Sequence, residues 1–213
     1  MGEQRRKEFY FCLDLGSAVA DGKGMICDNN QDTSEGVAVD SRTLTMKARW
    51  SVAPAGAPTA MAMDREHRRL FIAGRDPQFF VVMDADSGKV VQSFPISGGV
   101  DADAYDPSTG LLFVSTRDDM IHIFHEESPD KFTVFDPIKT QYGAKTMALD
   151  PKTHNLYLIT SDFGPPPAPT PEQPHPQQIQ WIESRDVPTV GLRAMMVLIG
   201  SDREKWDRLS KQC

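Results

Sequence analysis

The chain has 213 residues, 39% hydrophobic and 25% charged, an ordinary globular composition with room for one or two domains. Lys and Arg number 23 against 30 Asp and Glu, and the net charge of −7 argues against a protein built around a nucleic-acid backbone or an anionic membrane. The longest apolar run, Ala194 to Ile199, has six residues, far short of the roughly 18 that a transmembrane helix needs.

At the N-terminus Arg5, Arg6 and Lys7 are followed by Glu8 and by no sustained apolar stretch, so no signal peptide is visible. Cys12, Cys27 and Cys213 are widely scattered, without CxxC or zinc spacing. They read as free thiols, and a Cys12–Cys27 bridge is open but unsupported. Glu8 to Gly16 has strand character, and 1–17 reads as the last strand of a unit that precedes the repeat described next.

From Ala18 the chain repeats itself. Four segments begin at Ala18, Ala60, Ala102 and Thr146, each with a small or apolar stretch, an aspartate, a polar turn and an apolar run. The aspartates are Asp21, Asp64, Asp106 and Asp150, spaced by 42 to 44 residues. A second series lies about half a period away, at Asp40, Asp84 and Glu126, with the same spacing. Leu70–Ala73, Leu111–Ser115 and Leu156–Thr160 are short strands. Asp106-Pro107-Ser108-Thr109-Gly110 and Asp150-Pro151-Lys152-Thr153-His154 are turns, in which the carboxylate accepts backbone N–H groups two residues on. Asp86-Ser87-Gly88 turns the chain between Val81–Met83 and Lys89–Phe94. Each period therefore holds about four antiparallel strands, the pattern of a β-propeller blade.

These residues resemble a known repeat. Val81-Val82-Met83-Asp84-Ala85-Asp86-Ser87-Gly88-Lys89-Val90-Val91, the link Ser97-Gly98-Gly99, then Asp106-Pro107 and a strand are similar to the YVTN-family β-propeller repeat over about Ala18 to Phe163. The resemblance implies an all-β propeller of four-stranded blades and a relationship to quinoprotein dehydrogenase and lactonase propellers. Members are often secreted or periplasmic, but without an export signal the compartment stays open. Closed rings of that family have six to eight blades. About four are legible here, which predicts an incomplete or open ring, with a small closed ring as the alternative. Open blade edges predict self-association.

After the blades of 18–164 comes a Pro-rich loop, 165–178, with seven of the sixteen prolines between Pro165 and Pro176. This segment is expected to be extended and exposed. In 179–213 the period stops. Ala194 to Ile199 suits a closing strand. Ser201 and Glu204 form a capping box before a short terminal helix over 202–211, with Trp206 and Leu209 on one face.

In a propeller the innermost strand of each blade lines the channel. Five residues before the repeat aspartates stand Thr59, Asp101 and Lys145, and three before stand Met61, Asp103 and Met147. Asp101 and Asp103 place two carboxylates on one strand face by alternation, where the sister blades have none. Thr59, Asp101, Asp103 and Lys145 are the expected ligand-binding residues at the channel mouth, and an Asp101–Lys145 ion pair is the plain structural alternative. The repeat aspartates themselves read as turn formers. His122 and His125 fall on opposite strand faces and make a poor metal pair. His67 and His154 read as solvent-facing turn residues. Phe79, Phe80, Phe113, Phe124 and Tyr157 read as core between blades. No Gly-x-Ser-x-Gly, P-loop or Gly-x-Gly-x-x-Gly is present.

The expectation is thus a non-enzymatic binding or interaction module for a small molecule or a protein. No catalytic residue, metal or cofactor is assigned, and nucleic acid is disfavoured by charge. A lactonase-like hydrolase or quinoprotein-type oxidoreductase with a central-channel metal or cofactor held by Asp101 and Asp103 is the competing enzyme, and a non-functional fragment of a longer propeller is the third reading.

Overall fold

A computed structural model describes residues 15–161 and the backbone of 192–197. The Pro-rich loop, the terminal helix and most of the segment 1–17 lie outside the described residues, which contain only strands and turns.

Four antiparallel sheets follow one another along the chain. The first holds β1 (Leu15–Ala20), β2 (Met25–Asn30), β3 (Glu35–Asp40) and β4 (Thr45–Ser51). The second holds β5 (Pro58–Asp64), β6 (Arg69–Gly74), β7 (Phe79–Asp84) and β8 (Val90–Pro95). The third holds β9 (Val100–Asp106), β10 (Leu111–Thr116), β11 (Met120–Ser128) and β12 (Lys131–Lys139). The fourth holds β13 (Thr146–Asp150), β14 (Asn155–Ser161) and β15 (Leu192–Val197). Each is a meander with strands in sequence order. The first strands lie side by side, β1 on β5, β5 on β9 and β9 on β13, so the sheets radiate as blades from an inner row. Among the described residues the ring is not closed. Residues 15–17 belong to β1, the inner strand of the first sheet, and β15 joins the fourth sheet by pairing antiparallel with β14.

The alternation of side chains along the middle strands builds the core. Leu70 and Ile72 of β6, with Val81 and Met83 of β7, face Cys27, Ala38, Val52 and Met61 towards the first sheet. Their alternates Phe71, Phe80 and Val82 face Leu112, Val114, Phe124 and Phe132 towards the third. Phe80 stacks on Phe124 with centroids 4.3 Å apart, and Phe71 meets Phe132 edge-on at 5.7 Å. Leu111, Phe113, Ile121 and Ile123 pack on Leu156 and Leu158 of the fourth sheet. A buried aromatic or large aliphatic side chain contributes roughly 1.5–3 kcal/mol, so inter-blade packing dominates the stability. Phe80, Phe113 and Phe124 are core as expected, and Phe79 is half-buried against the first inter-blade cluster. Tyr157 is not core: it is 38% exposed, on the side of β14 opposite the third sheet.

The turn chemistry is regular. Asp40, Asp64, Asp84, Asp106 and Asp150 each accept the N–H two residues on, at 2.9 to 3.2 Å. The fourth residue after each of them adopts a positive φ: Leu44, Arg68, Gly88, Gly110 and His154, between 54° and 70°. Glycine suits such a site without steric cost. At Gly88 the closeness of a neighbour adds a second reason: a Cβ there would lie 1.8 Å from Cδ1 of Trp50, which reaches across from the first sheet. Cys27 is a buried free thiol, and desolvation pushes its pKa up to about 11, which makes it inert packing.

Candidate functional site

The inner strands share an irregularity near their starts. On β5 the pairing passes from Pro58–Gly74 to Ala60–Ala73, leaving Thr59 as an extra residue. On β9 it passes from Val100–Thr116 to Ala102–Ser115, leaving Asp101 extra. β1 slips by one residue in the same way between Leu15 and Ala18. A β-bulge leaves one residue out of the ladder and re-aims its side chain. Repeat position five before the turn aspartate is therefore a bulge position in the second and third sheets, and strict alternation no longer decides which way Asp101 points relative to Asp103.

Asp101 is the centre of a polar cluster. Its Oδ1 accepts Lys145 Nζ at 2.9 Å and Arg75 Nη2 at 3.3 Å, and its Oδ2 accepts the Thr146 hydroxyl at 2.9 Å. Arg75 is held by its Nε donating to the Val100 carbonyl at 2.8 Å. The buried Ser115 hydroxyl lies against the carbonyls of Ala102 and Lys145, which fixes the entry to β13 against β10. Burial disfavours the Asp101 carboxylate, but the bonds from Lys145 and Thr146 and the charges of Lys145 and Arg75 outweigh it and hold its pKa below the ordinary value.

Of the four residues predicted from the sequence, the structure brings Asp101 and Lys145 together and leaves the other two out of this cluster. Thr59 is buried, and its hydroxyl donates to the Ala57 carbonyl at 3.2 Å. Asp103 lies further along β9, paired opposite Val114, and its Oδ2 is sealed from solvent without a hydrogen-bond partner. Desolvation drives its pKa well above the usual carboxylate range, with the main-chain N–H groups of Ala62 and Asp103 opposing only in part. Sequence reasoning missed Arg75 and Thr146. Arg75 stands eleven residues after Asp64 and Arg117 eleven after Asp106, so the repeat register carried a signal for a basic residue at this turn.

Beside the mouth, the link between the second and third sheets is pinned by one hydroxyl. Ser97 Oγ lies 2.7 Å from His122 Nε2, 3.0 Å from Thr116 Oγ1 and 3.0 Å from Asp118 Oδ1. The Ser97 N–H also donates to His122 Nε2 at 3.1 Å, so that nitrogen is an acceptor. Burial lowers the His122 pKa and keeps the ring neutral. The carboxylate sits on the serine and not on the imidazole, so this is a loop latch and not the relay of a nucleophilic triad.

At the other ends of the inner strands the turn histidines face solvent in part, with 43% of the His67 and 33% of the His154 side chain exposed, and each is also bonded to a carboxylate. His154 Nδ1 lies 2.6 Å from Asp106 Oδ2 in the preceding blade, and His67 Nδ1 lies 2.6 Å from Asp64 Oδ2.

No family model matches the chain, and no curated protein matches it. Solved structures do. Hydrazine synthase of Kuenenia stuttgartiensis superposes with a TM-score of 0.61 at 15% identity, over 73% of this chain and 45% of that one. A chain in the crystal structure of a mitotic checkpoint complex gives 0.59 at 15% identity, over 68% and 45%. The likeness shows a propeller-type fold and no more than the fold. This chain spans about 45% of the length of each.

Proposed function

We propose that the chain is a YVTN-type propeller module that binds, without covalent chemistry, a small molecule or protein segment presenting an anionic group at the mouth formed by Arg75, Asp101, Lys145 and Thr146. The observation that carries this reading is a charge imbalance. Two cations converge on one carboxylate oxygen, and both are open to solvent, with 39% of the Arg75 and 37% of the Lys145 side chain exposed. Within a chain of net charge −7 this cluster carries an excess positive charge. Asp101 aims the two donors and satisfies them in the free state, and each retains N–H groups for a carboxylate or phosphate. The bulge supports the same reading, because it sets Asp101 outside the ladder at the rim of the inner row.

The test is a thermal-shift and calorimetric screen of mono- and dicarboxylates and phosphorylated small molecules. A saturable ligand is expected. Lys145→Gln and Arg75→Gln are each expected to weaken it about 10- to 100-fold, the worth of one charge-assisted bond of roughly 1.5–3 kcal/mol. A ligand whose affinity is unchanged in both variants would place binding elsewhere, and a screen in which only cationic compounds bind would overturn the reading.

A further inference from the structure

The turn ends of the inner strands differ from one junction to the next. In the second and fourth sheets the fourth residue after the turn aspartate crosses to the preceding blade and gives that blade's aspartate a cation-capable partner. Arg68 Nη1 reaches Asp21 Oδ2 at 3.3 Å, and His154 Nδ1 reaches Asp106 Oδ2 at 2.6 Å. In the third blade that residue is Gly110, which has nothing to send to Asp64. Asp64 keeps His67 of its own blade, at 2.6 Å, and what meets it from the third blade is a second carboxylate. Glu126, which replaces aspartate in the second repeat series, projects from β11 with 4% of its side chain exposed. Its Oε2 accepts the Tyr105 hydroxyl at 2.7 Å. Its Oε1 is buried without a hydrogen-bond partner and lies 3.6 Å from His67 Nδ1. Asp64 is likewise buried, with 3% of its side chain exposed. Two buried carboxylates thus face one imidazole here, whereas Asp106 has His154 and Asp21 and Asp86 share the Arg68 guanidinium at the neighbouring junctions.

We propose that Asp64, His67 and Glu126 form a divalent transition-metal site that takes the place of the missing inter-blade cation. One ligand atom from each lies within 4.8 Å of the other two, a spacing that an ion with bonds of about 2.0–2.2 Å spans after small side-chain rotations. One imidazole nitrogen with two carboxylates suits Zn²⁺ or Mn²⁺. Ca²⁺ wants six to eight oxygens, and Mg²⁺ favours oxygen ligands with retained water. His67 binds through Nδ1 after losing any proton there, and the orphaned Glu126 oxygen gains its partner. Tyr105 orients Glu126 from behind through its hydroxyl. A cleft of about 530 Å³, bordered by Met63, Asp64, Glu66, His67, Tyr105 and Pro107, opens beside the site and leaves the remaining coordination positions to water or an oxygen ligand.

The test uses the metal alone. The full chain, stripped with chelator, is titrated with Zn²⁺ by calorimetry, and its melting temperature is followed with Zn²⁺, Mn²⁺ and Ca²⁺. One saturable Zn²⁺ site that raises the melting temperature is expected, with Ca²⁺ giving at least tenfold weaker binding. His67→Ala alters a side chain that is 43% exposed, so it leaves the fold intact, and it is expected to weaken Zn²⁺ at least 10-fold. Glu126→Gln keeps the bond from Tyr105 and is expected to do the same. Co²⁺ in the wild type should show an absorption spectrum without a thiolate charge-transfer band. No saturable binding, binding unchanged in His67→Ala, or a thiolate band in the Co²⁺ spectrum would each overturn the assignment.

Discussion

At the scale of the residue, the carboxylates of the inner strands divide by environment. Asp101 and Asp106 have partners that hold their pKa values down, so they contribute stability above about pH 4 and lose it as the pH falls further. Asp103 has the opposite sign. Its folded pKa lies well above the ordinary 3.8, so the folded state holds the proton more tightly than the unfolded chain does. Its contribution is most favourable below that ordinary value and becomes a cost as the pH rises through the folded value. Asp103→Asn removes the ionisation and keeps the shape. It is expected to stabilise the protein at pH 7, where the unfolded chain gains from ionising Asp103 and the folded chain does not, and to gain nothing near pH 4. Urea denaturation of both chains at the two pH values measures this. A loss at pH 7 would mean that the ionised carboxylate has a partner.

The element that distinguishes this fold is the turn that ends each inner strand. A four-residue turn closed by a left-handed residue would take glycine most cheaply, and Gly110 follows that preference. Arg68 and His154 do not, although a left-handed non-glycine residue costs roughly 1–2 kcal/mol. The compensation is the reach across to the preceding blade. Arg68 bonds Asp86 at 2.7–2.9 Å as well as Asp21 at 3.3 Å, so one guanidinium ties two blades together. Burial disfavours the Asp21 carboxylate, yet the N–H groups of Lys23 and Met25 and the Arg68 guanidinium hold its pKa below the ordinary value. Arg68→Ala keeps the backbone cost and discards the bonds, and a loss of about 1–3 kcal/mol in chemical denaturation is expected. Arg68→Gly relieves the backbone and should recover part of that loss. Equal stability of wild type and Arg68→Ala would show that the guanidinium contributes only a solvated surface pair.

For the whole molecule, the open row of four described sheets is the governing feature. Among the described residues the middle blades have a sheet packed on each face, and the outer faces of the first and fourth sheets have none. Ile26 on β2 is 38% exposed, and Tyr157 and Ile159 on β14 are 38% and 41% exposed. Such apolar positions favour association. If open blade edges pair two copies, as the sequence predicts, light scattering after size exclusion is expected to show a concentration-dependent dimer. Ile159→Lys, at an already exposed position, should shift the equilibrium to monomer without lowering the cooperativity of unfolding. A monomer at all concentrations would remove self-association from the account.

Much of this architecture was legible along the chain. A turn aspartate recurring every 42 to 44 residues, with alternating apolar strands between, specifies four-stranded meanders because both turn chemistry and strand alternation are local. The pairing of Asp101 with Lys145 followed from the same register, since equivalent positions on neighbouring inner strands lie side by side. Tertiary structure decided the rest. The bulges at Thr59 and Asp101 arise from how each inner strand meets its neighbour, and no local residue pattern announces them. Whether Asp103 is solvated depends on the blades packed around it, and the exposure of Tyr157 depends on which face of β14 receives a neighbouring sheet. The meeting of Asp64, His67 and Glu126 joins residues from two blades and became visible only once the fold set a glycine where the sister blades send a side chain across. The sequence by itself therefore determined the blades, through short-range periodicity. The arrangement of charge between blades was decided by packing, because it depends on contacts between residues a whole repeat or more apart.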